Sequence, residues 1–236
     1  MEFMAESSLL LGIDTCGPSG SVALGRLCGR SVEILGQIEL EGRSYSSTLV
    51  AAVGGLLAQA GISLREVGAI VAVNGPGSFT GVRVGLAAVK GLAEATQIPV
   101  LAVSRLEVLA AKAGVQAAAL DAHRHEVFLR VNGADDRAPG GPSNELLAGA
   151  QELAAIDAPV RMAVCDEAAA QLLRSAWPGT ELVRVAAPNA ADALELCAPR
   201  VAAGQFVDLA LLDGHYLRRS DAEIFGGPVA AAPERI

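Results

Sequence analysis

The stretch Ala69–Ala95, AIVAVNGPGSFTGVRVGLAAVKGLAEA, decides how the rest of the chain is read. Ala69–Val73 is an unbroken apolar run and predicts a short strand covered on both faces. Asn74-Gly75-Pro76-Gly77 continues neither strand nor helix: Pro76 fixes its own φ, and the glycines supply conformations that other residues resist. Ser78 or Thr80 then caps a helix. Within it, Gly81, Gly85 and Gly91 each cost about 0.5–1 kcal/mol relative to alanine. With Ala88 and Ala95 they fall on one stripe, which predicts close approach of a neighbouring backbone. Val82, Leu86, Val89 and Ala93 form a second apolar side, and Arg83, Lys90 and Glu94 share a narrow charged strip. A helix apolar around most of its circumference is covered from both sides. Arg83 lies in the first turn, where the macrodipole disfavours a cation. It reads either as a surface arginine lying along apolar neighbours or as the receptor of an anion or a partner's carboxylate.

Upstream, Leu9–Asp14 predicts a strand ending in aspartate. Thr15–Gly20 is a small-residue turn, Ser21–Leu24 a returning strand, and a third strand follows around Val32–Leu40. Asp14 is placed either to hold a phosphate or its metal, with the glycine loop nearby, or to close an Asx-turn. Asp14, Gly75 and Gly77 are thus the candidate nucleotide- or phosphate-binding residues. Ser46–Ala60 reads as a helix without any charge. Two neighbouring helices therefore lack enough polar surface to face water alone. They either pack wholly within the chain or present outer faces as a subunit interface, and the shared defect favours the interface. The expected contact residues are Leu49, Val53, Leu56, Val82, Arg83, Leu86, Val89 and Ala93, with Leu86 foremost.

Ser63-x-x-Glu66 and Ser104-x-x-Glu107 are capping boxes, the second opening a helix after the strand Val100–Val103. The pattern then restarts. Ala117–Asp121 is again an apolar strand ending in aspartate, and Glu126–Val131 returns after a turn. IDTCGPSGSVAL and LDAHRHEVFL share the order strand, aspartate, turn, strand. This predicts a duplication, with one domain over residues 1–114 and a second over 115–236. Beyond it come a loop at Asn132–Asn144, a helix at Glu145–Ile156 and a strand at Arg161–Cys165. A helix at Glu167–Ala176 and a strand at Leu182–Ala186 follow. A last helix starts at Asn189 and is kinked or ended by Pro199. Phe206–Ile236 reads as a loose tail.

Of 236 residues, 52% are hydrophobic and 19% charged, which assures a sizeable core. Net charge is −8, and no run among the 18 basic residues exceeds Arg218-Arg219. Such a chain does not grip a nucleic acid by itself, because counterion replacement needs clustered Lys and Arg. Cys16, Cys28, Cys165 and Cys197 show neither C-x-x-C nor zinc spacing and read as reduced thiols of a cytosolic protein. Glu2 and Glu6 precede the first apolar run, so no signal peptide is expected, and no apolar run is long enough to span a membrane. Asp121-x-His123-x-His125 is a metal candidate by residue type, but it falls on the predicted turn, and no metal is expected. G-x-x-x-x-G-K-[ST], H-E-x-x-H and G-x-S-x-G are all absent.

LLGIDTCGPSGSVAL, NGPGSFTGVRVGLAAVKGLA, IPVLAVSRLEVLA and LDAHRHEVF, in this order and spacing, resemble the bacterial TsaB (YeaZ) family. The resemblance spans Leu9–Val131, and beyond it only YLRRS from Tyr216 is similar. It implies an α/β, actin-like fold of two ribonuclease-H-like lobes. It also implies a role in threonylcarbamoyl transfer to the adenosine beside the tRNA anticodon, as the non-catalytic partner of a TsaD-like subunit and alongside a TsaE-like ATPase. Catalytic relatives carry a metal-binding H-x-x-x-H, and the corresponding positions here hold Arg105 and Leu109. The resulting expectation is a cytoplasmic, non-catalytic subunit that dimerises when alone and meets tRNA only indirectly. It would need no cofactor and bind nucleotide weakly at most. An actin-like ATPase or small-molecule kinase using Asp14 is the alternative, and a metallopeptidase a third.

Overall fold

The structure, a computed structural model, describes residues 8–42, 44–131 and 144–218. Most of the expected loop from Asn132 and the tail beyond Arg218 lie outside the described residues. Strands β1 (Leu9–Asp14), β2 (Ser19–Cys28), β3 (Ser31–Glu41), β4 (Val67–Val73) and β5 (Val100–Val103) form one sheet in the order β3-β2-β1-β4-β5. Strands β6 (Ala117–Asp121), β7 (Val127–Val131), β8 (Asn144–Ala148), β9 (Arg161–Val164) and β10 (Glu181–Arg184) form the second, in the order β8-β7-β6-β9-β10. The two orders are the same. In each sheet the first three strands run antiparallel in sequence, and the last two add in parallel. Both first strands end in an aspartate whose Oδ1 accepts the N–H two residues on. Cys16 N donates to Asp14 and His123 N to Asp121, each at 2.8 Å. The repeat therefore reaches down to the same Asx-turn in both copies. Each sheet with its helices makes one ribonuclease-H-like lobe of an actin-like α/β fold.

The helices are α1 (Tyr45–Ala60), α2 (Phe79–Thr96), α3 (Arg105–Lys112), α4 (Ala150–Ala154), α5 (Glu167–Ala176) and α6 (Ala190–Ala202). Ser78 caps α2 by accepting from Gly81 N at 3.2 Å. Two expected features differ. Asn144–Ala148 is a strand rather than the start of a helix, because it pairs along the whole of β7, from Val127↔Ala148 to Val131↔Asn144. α6 runs through Pro199 to Ala202, and Ala203 N closes the last turn onto the Pro199 carbonyl at 3.1 Å.

The boundary near residue 114 divides the sheets but not the core. α6 lies across the first sheet, and its Ala190, Ala193, Leu194, Cys197, Ala198 and Val201 are buried with β1, β2 and β4. The approach is close: a Cβ at Gly12 would stand 2.8 Å from the Ala190 carbonyl oxygen. The segment after α6 is not loose either. Val207 N donates to Val100 O at 2.9 Å, His215 N to Asn74 O at 2.7 Å, and Leu212 is buried.

Candidate functional site

The β1–β2 turn, the glycine loop after β4 and the start of α3 meet around Asp14. Asp14 Oδ1 is taken by the Asx-turn, and Oδ2 accepts from Arg105 Nε at 3.4 Å. Both residues are buried. Thr15 Oγ1 donates to Gly81 O at 2.7 Å, Cys16 O accepts from Ser78 N at 2.8 Å, and Tyr45 OH donates to Gly17 O at 2.9 Å. Arg105 N donates to Gly75 O at 2.6 Å. The polar atoms of the turn are thus spoken for by the chain itself.

The glycines here serve packing. A Cβ at Gly77 would meet Cys16 O at 2.1 Å, and one at Gly75 would meet His215 O at 3.0 Å. Gly75 also has a φ of 113°, which a side chain would strain. Asp14 thus closes the Asx-turn, one of its two sequence readings, and Gly75 and Gly77 make room for neighbouring backbone. Burial, reinforced by the Asp14 charge, pushes the Cys16 thiol well above its ordinary value and the Tyr45 hydroxyl up to about 12. Neither is a nucleophile in this setting. Arg105 and Leu109, the two positions matching the relatives' histidines, are both buried in α3. Among the described residues no three His, Cys, Asp or Glu side chains converge to hold a metal ion. His123, Arg124 and His125 form a turn with φ near 60° at all three, and His123 Nδ1 lies 2.9 Å from Asp121 Oδ2.

The helix pair α1 and α2 needs a correction. Leu49, Val53, Leu56, Val82, Leu86, Val89 and Ala93 were expected on the outer faces, and all seven are buried inside the first lobe. They pack in one core with the sheet. Only Arg83 of that set is exposed. Gly81 and Gly85 also face inward: a Cβ on either would meet Thr15 O or Oγ1 at 2.1 or 2.2 Å. The outer face of α1 includes the small uncharged Ser47, Val50, Ala51, Gly54 and Ala58; on α2 the exposed Thr80, Ala87, Gly91 and Ala95 are joined by Phe79, Arg83 and Glu94. Val50 is 63% exposed, and a Cβ at Gly54 or Gly91 would meet nothing within 4 Å.

At the start of α2 a cluster appears that the sequence reading missed. Arg83 Cζ lies 3.7 Å from the Phe79 ring centroid and 5.9 Å from that of Tyr216, and the two rings are 5.2 Å apart. Phe79 to Arg83 is an i, i+4 pair, which could have been read. Tyr216 arrives from the segment after α6, and no local signal announces it.

A cleft of about 940 Å³ opens between the sheets, lined by Asn74, Ser104, Arg130, Glu145 and His215 among others. Its buried carboxylate is fully engaged. Glu145 accepts from Ser104 Oγ at 2.6 Å and Arg130 Nη1 at 2.7 Å. His215 Nε2 lies 2.8 Å from it without an in-line hydrogen bond.

Two matched five-stranded lobes, each led by an aspartate-closed hairpin, define an actin-like protein with ribonuclease-H-like halves. Residues 35–151 match the family described as TsaD: tRNA N6-adenosine threonylcarbamoyltransferase. The tRNA threonylcarbamoyladenosine biosynthesis proteins TsaB of Haemophilus influenzae and Escherichia coli are 36% and 34% identical over 126 and 125 residues. These matches take in 51% and 50% of this chain and 52% of each relative, so the chain spans about half the length of the curated relatives it matches. The solved structure of YeaZ from Pseudomonas aeruginosa superposes with a TM-score of 0.69 at 28% identity, over 89% of this chain and 100% of that one. Sequence and fold together support the TsaB (YeaZ) family. Among the described residues no helix is long and apolar enough to cross a membrane.

Proposed function

We propose that this chain is a non-catalytic subunit in tRNA threonylcarbamoyladenosine formation. It supports a TsaD-family catalytic subunit that transfers the threonylcarbamoyl group to the adenosine beside the anticodon, alongside a TsaE-family ATPase. The observation that carries the non-catalytic reading is the buried Asp14–Arg105 pair. The one carboxylate placed like a phosphate or metal holder is already neutralised by a guanidinium of the same chain. This argues against the ATPase or kinase alternative and for a chain without a resident cofactor. The outer faces of α1 and α2, rich in small uncharged residues, are the association surface. They serve the catalytic subunit, or a second copy when the chain is alone. A net charge of −8 assigns the grip on tRNA to the other subunits. The setting is the cytoplasm, where tRNA is modified.

The test is reconstitution. TsaD-family and TsaE-family subunits from the same source are incubated with tRNA and the threonylcarbamoyl donor, with and without this protein. Modification should depend on its presence, and the protein alone should transfer nothing. Equal modification in its absence, or transfer by the isolated chain, overturns the reading.

A further inference from the structure

The cleft of about 940 Å³ between the sheets is within the size range of small-molecule sites. Its polar groups divide by whether their hydrogen bonds are already made. Ser104 and Arg130 donate to Glu145, so the guanidinium that lines the cleft comes with its own counter-charge. Asn74 Nδ2 donates to Asp213 O at 3.3 Å, which leaves its Oδ1 as an acceptor. Glu107, on α3, faces Arg200 at 3.6 Å, too far for a hydrogen bond. Asp157, after α4, is exposed and forms no ion pair among the described residues. His215 Nε2 is buried without a hydrogen bond, so this end of the cleft also holds an unmet polar atom.

What the cleft still presents is therefore acceptors, two of them carboxylates on separate elements. A phosphate or carboxylate ligand would meet Glu107 and Asp157 with Arg130 already held by Glu145. A nucleobase would find nothing to stack on, because no Phe, Tyr or Trp lines the cleft among the described residues. The rest of the wall is aliphatic, with Val103, Leu146 and Ile156 in it. Carboxylates set among aliphatic side chains match a ligand that joins ammonium groups by methylenes.

We propose that this cleft binds an aliphatic polyamine, a linear chain of methylenes carrying two or more ammonium groups. The ammonium groups donate to Glu107 and Asp157, with Asn74 Oδ1 as a neutral acceptor. The methylenes lie on Val103, Leu146 and Ile156. A bare metal cation or a lone ammonium group gains only part of this. The walls come from both sheets: Val103 ends β5 and Asn74 follows β4, whereas Val131 ends β7 and Leu146 is in β8. A bound polyamine therefore holds the two together and raises the unfolding temperature. No residue of α1 or α2 lines the cleft among the described residues, so the inference does not rest on the association face.

The experiment is isothermal titration of the full chain with spermidine at an ionic strength of about 0.15 M. Spermidine should fill a single saturable site. Asp157→Asn and Glu107→Gln should each weaken its affinity by about fivefold or more. Asp157 is exposed, so its variant keeps the fold, and circular dichroism checks both. Glu33→Gln removes an equal charge from β3, at the other edge of the first sheet from β5, and should change the affinity by less than about twofold. Butylamine, with one ammonium group, should bind about fivefold or more weakly than spermidine. Magnesium at equal concentration should not displace spermidine. A titration that does not saturate overturns the proposal. So does spermidine that binds Asp157→Asn and Glu107→Gln as tightly as wild type, or that magnesium displaces. Those last two results would describe diffuse attraction to a chain of net charge −8 rather than a site.

Discussion

Arg105 Nε and Asp14 Oδ2 lie 3.4 Å apart, with 6% and 1% of the two side chains exposed. Burial works against the charge on Arg105, and the surrounding contacts, Asp14 foremost, outweigh it, so the guanidinium is held charged. Breaking such a pair leaves one charge buried without its counterpart. Arg105→Met should therefore lower unfolding free energy by about 3–5 kcal/mol. Arg105→Met with Asp14→Asn should recover most of that, since Asn keeps an acceptor for Cys16 N. Urea titration of the three proteins checks this. A single variant within about 1 kcal/mol of wild type would show that the pair is not holding the turn in place.

The glycines of α2 should separate cleanly. Gly85→Ala puts a methyl 2.2 Å from Thr15 Oγ1, and Gly81→Ala one 2.1 Å from Thr15 O. Neither contact can be kept, so both variants should unfold at lower temperature than wild type. Gly91→Ala meets nothing and should stabilise the monomer by about 0.4–1 kcal/mol through helix propensity. Thermal unfolding at low protein concentration reads this without the contribution of self-association. A destabilising Gly91→Ala would reveal a neighbour that the isolated chain does not have.

Leu86 does not take the outer role that the sequence suggested for it, and Val50 lies outside instead. Leu86 is 6% exposed and packs with the core, whereas Val50 is 63% exposed. Leu86→Ala should cost about 2–5 kcal/mol of stability. Val50→Glu should change monomer stability by no more than about 0.5 kcal/mol. It should instead weaken association on the α1–α2 face. Denaturant titration paired with sedimentation separates the two effects, and a folded Leu86→Glu variant would contradict the placement.

What was legible in the chain was local. Asp14 and Asp121 each close a turn with a residue two positions on, so the order strand, aspartate, turn, strand carries its own signal twice. The cap at Ser78 follows from one stretch, and the glycine stripe announced a close neighbour for Gly81 and Gly85 without saying that it is Thr15. What failed was decided at long range. Asn144–Ala148 becomes a strand only because β7 lies beside it. α6 finds its core in the first lobe because Gly12 leaves room for the Ala190 backbone, far away in sequence. Periodicity showed that α2 has two apolar sides but not that both face inward. Leu49, Val53 and Leu56 were misdirected for the same reason: a helix without charge does not reveal which side meets water.

The last prediction concerns acid. Glu145 comes from β8 in the second lobe and holds Ser104, which directly follows β5 of the first and caps α3, as well as Arg130 and His215. Burial alone would raise its pKa, but the contacts with His215, Ser104 and Arg130 outweigh it and hold the carboxyl below its ordinary 4.5. The sign follows. The folded protein binds this proton more weakly than the unfolded chain, so the stabilisation is complete above about pH 4.5 and is lost as pH falls through the lower folded value. Glu145→Gln keeps an acceptor for Ser104 but loses the charge that Arg130 and His215 meet. At neutral pH it should cost about 1–3 kcal/mol. Below about pH 4.5 wild type loses the same advantage by protonation, so the two stabilities should converge toward pH 3. Denaturant titrations of both proteins from pH 7 down to 3 give the difference directly. A gap that stays constant through that range would mean that the ionised form of Glu145 is not what joins the two lobes at this point.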